Sequence, residues 1–304
     1  MAGHFGNWEY VRKHWRSFVR KTWLTFFPWA VLYMTLNTSL IAFLPPEKSK
    51  VMRGIVNYIV LHPAYLVLIL LALLVGAIIY RWPRTMAVYK DRTTDIRVII
   101  ECCDLLEQEG MKVIHTMDTF DSELERIVTP RSLHGAFIRR CQERNVALDD
   151  LIERGLKRLK PVSVDETLPG RTARYELGTI CPLPIEGDHY CWAAFTHMQA
   201  NGTITISKDE YIACLKRMWL NLSEPLLREE TVNVAVMGNR FVDLPAEFST
   251  EQKIDLMIQT FFAAAREKAC CRTLRICVHS NNVPDIDFET YPTIIAHLAQ
   301  RPII

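Results

Sequence analysis

Two uncharged stretches limit what this chain can become before anything else is read. No Asp, Glu, Lys or Arg occurs from Thr22 to Leu44 or from Gly54 to Tyr80. Each run exceeds the roughly 20 residues a helix needs to cross the hydrocarbon core of a bilayer. The first run is too long for a cleavable signal peptide and lacks a small-x-small exit, and the second follows at once. Pro45-Pro46 and the short "EKSKVMR" connect them. The pattern predicts a two-helix transmembrane hairpin over 22–80, with spans at 22–44 and 54–80. Arg12, Lys13, Arg16, Arg20 and Lys21 precede it, and Arg81, Arg84, Lys90 and Arg92 follow it. Both ends are therefore expected on the cytoplasmic side, although Lys48, Lys50 and Arg53 in the connection soften the contrast. Within residues 1–21, Trp8, Val11, Trp15, Phe18 and Val19 recur at helical spacing among basic residues. That spacing predicts a basic amphipathic helix beside the membrane.

Behind the hairpin the pattern changes. Residues 81–93 read as a linker, and 94–304 alternate strands with helices. "IRVIIE", "KVIHTM", "YELGTI", "YCWAAFTHM", "TITI", "TVNVAVM" and "LRICVHS" read as strands, with a hairpin turn at Asn201-Gly202. Ser132 opens a helix through "GAFIRRCQERN", and "LDDLIERGLKRL" is a second, amphipathic one. Ser207 with Glu210, and Ser249 with Gln252, have the spacing of capping boxes ahead of two longer helices. Mixed strands and helices of this kind predict an α/β sandwich.

Composition excludes some functions. A net charge of +2 on 304 residues gives no basic surface for nucleic acid. The nine cysteines are odd in number and never spaced Cys-x-x-Cys, which points to free thiols rather than disulfides or a zinc site. No Ser-His-Asp order, His-Glu-x-x-His, P-loop or Gly-x-Gly-x-x-Gly occurs. No catalytic residue and no metal ligand is assigned.

In open α/β sheets ligands bind beyond the carboxyl ends of the strands, which selects four places. Asp104 follows "IRVIIECC" and could accept from an adenine amino group or cap the next helix. His115 and Asp118 end the second strand and could meet ribose hydroxyls, or be a core histidine and a loop acid. Ser132, Leu133, His134, Gly135, Ala136 and Phe137 start a helix whose open amides suit a diphosphate, with Gly135 allowing close backbone approach. Gly238, Asn239 and Arg240 follow a buried strand and could close over phosphates. Each place also has an ordinary structural reading.

The order of these four words resembles a macro domain, the ADP-ribose-binding α/β/α fold. "ECCDLL", "VIHTMD", "SLHGAF" and "VMGNRF" stand where macro domains hold adenine, the distal ribose and the two phosphate loops. "FD…P-x-SLHG-F" and "Y-x-x-GTI" behind a two-span anchor resemble the membrane-anchored effectors of Thoeris anti-phage systems. The resemblance implies a bacterial inner-membrane protein with both termini and the macro-like domain cytoplasmic. It implies no cofactor, but a ligand that is an ADP-ribose derivative, including amino-acid conjugates such as histidine-ADP-ribose. A TIR-domain protein would supply that ligand as its small-molecule product. Binding would drive homo-oligomerisation and disruption of the lipid bilayer, an abortive infection. Macro domains that hydrolyse ADP-ribosyl bonds keep a pair of Asn and several glycines in the first loop. Here His115 and Asp118 stand at the Asn positions, and Gly135 is the loop's single glycine. That departure favours a sensor over the two alternatives, a membrane-tethered ADP-ribosyl hydrolase and a ligand-free scaffold.

Overall fold

The computed structural model describes residues 10–43, 63–185, 187–223, 230–238, 248–268 and 270–300, with the side chains of 36–43 and 63–66 left outside that description. Contacts divide the chain into two units, with Asn7–Arg84 in one and Thr85–Ile304 in the other.

In the first unit, α1 (Trp15–Phe43) and α2 (Pro63–Tyr80) pack against each other. Arg81 donates from Nε to the Thr25 hydroxyl at 2.7 Å, and Phe18 meets Trp82 edge-on. α1 begins seven residues before the expected span, taking in Arg16, Arg20 and Lys21, and contains Pro28. Among the described residues, no helix is long and apolar enough to cross a membrane. The expected spans run partly through 44 and 54–62, which lie outside those residues, as do residues 1–9 of the expected helix over 1–21; residues 10–13 and 15–21 are helical. What α1 and α2 do have is outward apolar surface: Trp23, Trp29, Leu68 and Ile79 are more than half exposed.

The second unit is built on an eight-stranded sheet in the order β1-β2-β10-β9-β3-β7-β6, with β8 added to β7. These strands are β1 (Met86–Lys90), β2 (Arg97–Cys102), β3 (Met111–Met117), β6 (Ile180–Ile185), β7 (Asp188–Met198), β8 (Ile204–Thr205), β9 (Thr231–Ala235) and β10 (Thr273–Val278). The five inner strands β2, β10, β9, β3 and β7 are parallel, and β1 and β6 close the edges antiparallel. β4 (Ser163–Val164) and β5 (Ala173–Arg174) form a separate ribbon.

Inner parallel strands are covered on both faces and so read as continuous apolar runs. β3 fits this: Val113 and Ile114 are adjacent, point to opposite faces, and are both fully buried. On one face Ile114, Trp192 and Leu183 pack with α3 (Leu133–Glu143) and α4 (Leu148–Leu156) through Phe137, Ile138 and Ile152. Elsewhere in the core, α5 (Lys208–Leu222) and α6 (Thr250–Glu267) lie together, with Trp219 edge-on to Phe261 and donating to the Thr260 hydroxyl at 3.0 Å. Both expected capping boxes form, at Ser207/Glu210 and Ser249/Gln252. α7 (Tyr291–Gln300) ends the described chain.

Three expectations change. The stretch expected to be linker contains β1, because Ala87, its apolar centre, is buried against β2. Tyr175–Thr179 is not a strand: Gly178 takes φ +88°, and a Cβ there would press on the Cys214 carbonyl and Arg217, so β6 starts only at Ile180. α7 was not foreseen.

Candidate functional site

A cleft of about 730 Å³ opens at the carboxyl ends of the parallel strands. That volume suits a small-molecule ligand, and the position follows the rule for open α/β sheets. Five segments wall it: Cys102–Leu106 after β2, His115–Met117 of β3, Ala235–Val236 after β9, Cys277–Ser280 at the end of β10, and Ile127–Ala136 leading into α3. The β7–β8 hairpin adds Gly202, Thr203 and Ile204.

Asp104 lies at one end, exposed and on the cleft wall. It also caps the short 3-10 turn Leu105–Glu107, accepting from the Leu106 amide at 2.9 Å. The ligand-facing and capping readings are thus compatible, since a carboxylate has lone pairs for both.

At the other end α3 presents its N-terminus. Ser132 accepts from the Gly135 amide at 2.9 Å, and the Ala136 amide reaches the Ser132 carbonyl. This leaves the Leu133 and His134 amides as the open donors of the first turn, on residues that line the cleft. Arg131 stands beside them, exposed and with no ion pair among the described residues.

Two imidazoles also line the cleft. His134 is buried, edge-on to Trp192 at 4.4 Å, with Nδ1 3.3 Å from the Thr116 hydroxyl. Burial, and then the neighbouring His115, push its pKa down to about 3. His115 is partly exposed, but its Nδ1 is sealed and makes no hydrogen bond among the described residues. Burial pushes its pKa down to about 4. Both rings are neutral at pH 7.

Four residues expected at the site lie off the cleft wall. Asp118 is buried and occupied: Arg174 Nη1 and His197 Nδ1 each lie 2.8 Å from its Oδ2, and the Met198 amide donates to Oδ1 at 3.0 Å. His197 also reaches Glu210 at 3.3 Å, and its bond to Asp118 raises its pKa. This cluster ties the end of β3 to the β4–β5 ribbon, β7 and α5. Gly135 faces its own loop: a Cβ there would run into the Thr129 carbonyl oxygen and stand 2.9 Å from Pro130 Cα. Its lack of a side chain serves loop closure. Phe137 is core, packed on Tyr190 and Trp192. Gly238 has φ +77°, and its carbonyl accepts from the buried Lys253 ammonium at 2.8 Å. Asn239 and Arg240 lie outside the described residues. Sequence reasoning missed the end of β10, where His279 caps a second 3-10 turn through Asn281. The signal was available, since "LRICVHS" ends on residues that follow a parallel strand.

A three-layer α/β/α unit with its cleft between a strand-end acid and a helix N-terminus has the architecture of the macro-type nucleotide-binding domains. The model for the macro domain of the Thoeris protein ThsA matches residues 98–279. That is more than half of the chain, so it belongs to this family, which places it in Thoeris anti-phage defence. No curated protein matches the chain.

Proposed function

We propose that the cleft binds an ADP-ribose derivative made by a TIR-domain partner, and that binding triggers assembly and membrane damage through the N-terminal unit. The observation that carries the ligand reading is the pairing of Asp104 with the open amides of Leu133 and His134 on one cleft wall. An acceptor at one end suits a base amino group, and paired amides with a helix dipole at the other suit a diphosphate. The outward apolar side chains of α1 and α2 support the membrane reading, because a surface of that kind is stable only when covered. Assembly would use the polar run of the first span. There Thr35 returns its hydroxyl to the Val31 carbonyl at 2.8 Å. The side chains of Asn37, Thr38 and Ser39, which would make the contacts between subunits, lie outside the described residues.

The site binds its ligand and releases it intact. A histidine with a pKa near 4 or 3 is a weak base at pH 7, and the Asp118–His197 pair is engaged away from the cleft wall. Calorimetric titration of the detergent-solubilised chain with ADP-ribose and amino-acid conjugates tests this. Saturable binding with unchanged ligand by mass spectrometry is expected. Turnover would establish the hydrolase, and no binding to any conjugate would leave the scaffold. Depolarisation in cells making the signal, lost when residues 1–80 are removed, tests the membrane step.

A further inference from the structure

The nucleotide reading leaves part of the cleft wall without a role. Cys103, just after β2, and Cys277, near the end of β10, both line the cleft. The strands run parallel with Val278 beside Cys102, so both residues stand at neighbouring carboxyl ends. Cys103 packs on the hydrophobic cluster that contains Cys277, and both are free thiols. The two side chains stand close enough for each to shift the ionisation of the other. The neighbouring Cys277 lowers the Cys103 pKa against the opposing effect of burial, while Cys277 is driven strongly upward. Other thiols behave differently. Burial pushes Cys141 up to about 11, and Cys181 and Cys214 up to about 12. Cys103 is therefore the more readily ionised of the two, with a second thiol beside it to resolve the product.

We propose that Cys103 and Cys277 form a modification site at which hydrogen peroxide oxidises the pair to a disulfide across the cleft wall. The Cys103 thiolate attacks one peroxide oxygen and breaks the O–O bond. The departing hydroxide takes a proton and becomes water, leaving Cys103 as a sulfenic acid. The Cys277 sulfur then attacks the Cys103 sulfur, the S–O bond breaks, and the hydroxyl leaves with the Cys277 proton as a second water. The two thiols lose two electrons and two protons, and peroxide gains them. Cys103 is bonded to Asp104, so drawing it onto β10 shifts the capped turn and closes the ligand's acid end. This last consequence rests on the nucleotide reading, whereas the disulfide does not.

The test treats the full detergent-solubilised chain with peroxide and maps its peptides without reductant. A Cys103–Cys277 cross-link reversed by dithiothreitol is expected. In Cys277→Ser the reaction should stop at a Cys103 sulfenic acid that dimedone captures. Binding of an ADP-ribose conjugate should be lost on oxidation and restored by reduction. Unmodified Cys103, or a cross-link confined to other cysteines, overturns the proposal. A disulfide that leaves binding unchanged overturns its link to the cleft. A disulfide in a chain that binds no conjugate even when reduced sinks the nucleotide reading alone.

Discussion

The polar row near the amino ends of the central sheet and the polar groups of the cleft wall are engaged differently. Near the amino ends a polar row crosses four neighbouring strands through Tyr190, Lys112, Asn233 and Arg275. Lys112 is buried, pairs with Asp188 at 2.8 Å and lies 4.8 Å from the centre of the Tyr190 ring. Asn233 donates to the Glu109 and Met111 carbonyls, and Arg275 Nη1 donates to Gln108 and to Asn233. On the cleft wall, among the described residues, His115 Nδ1 has no hydrogen-bond partner, Asp104 is exposed, and Arg131 makes no ion pair. One row spends its hydrogen bonds holding strands together, with Arg275 Nε left to an ion pair with Glu101 at 3.5 Å. On the cleft wall Asp104 and Arg131 face solvent, while the sealed His115 nitrogen is an unmet polar group among the described residues.

Breaking the amino-end row should give the largest effect. Lys112→Ala removes a buried stem and leaves Asp188 without its near partner, for a loss of roughly 3–4 kcal/mol of stability. Denaturant unfolding should report that loss, and ligand affinity of the remaining folded protein should not change. An affinity loss as large as the stability loss would erase the distinction between the ends.

Acid should act on the carboxyl end with nearly the same force. His115 and His134 have folded pKa values of about 4 and about 3, below the unfolded 6.5. Between those values the unfolded chain binds more protons, so stability falls as pH drops from 6.5. By pH 4 the His115 contribution alone is on the order of 3 kcal/mol. His197 has the opposite sign: its raised pKa gives stability present below 6.5 and lost as pH rises through the folded value. Unfolding free energies measured from pH 7 to 4 should show the acid loss shrinking in His115→Gln. An identical pH dependence in that variant would mean that the ring is solvated.

Gly135→Val sharpens the comparison by a smaller amount. Its new side chain meets Thr129 and Pro130. Overpacking of this kind costs about 1–3 kcal/mol. Thermal unfolding should move while affinity stays. Affinity lost without a change in stability would return Gly135 to the ligand.

These cases show what the sequence could and could not disclose. Capping boxes, most strand runs and the hairpin at Asn201-Gly202 are local and appear where the residues put them, with Tyr175–Thr179 the exception. Asp104 and the start of α3 were legible because position at a strand end is topological. Asp118 was not, because its engagement depends on Arg174 and His197, which lie 56 and 79 residues away. The duty of Gly135 was hidden for a related reason: a glycine reports that space is short, not which neighbour fills it.

Asp104→Ala should weaken binding about tenfold by removing a charge-assisted bond. The lost cap on the 3-10 turn should lower stability only slightly. Titration and unfolding on one preparation separate the two. Equal affinity in the variant would move the acceptor elsewhere on the wall.

The smallest effect is expected at Arg131. It is exposed and pairs with no carboxylate among the described residues, so its charge is available to an anion at the α3 end. An exposed cation works through water and mobile ions, which cuts its contribution to a few-fold in affinity. The same exposure supplies the signature. A Debye length near 8 Å at about 0.15 M salt shrinks to about 3 Å at 1 M, so its pull on a phosphate should fade across that range. Arg131→Gln should therefore bind a few-fold more weakly at low salt and match wild type at high salt. The Asp104→Ala deficit, which is a direct hydrogen bond, should persist throughout. Titrations of both variants at two salt concentrations decide it. If the Arg131→Gln curve follows wild type at low salt as well, the guanidinium is only solvated, and the anion is held by the Leu133 and His134 amides alone.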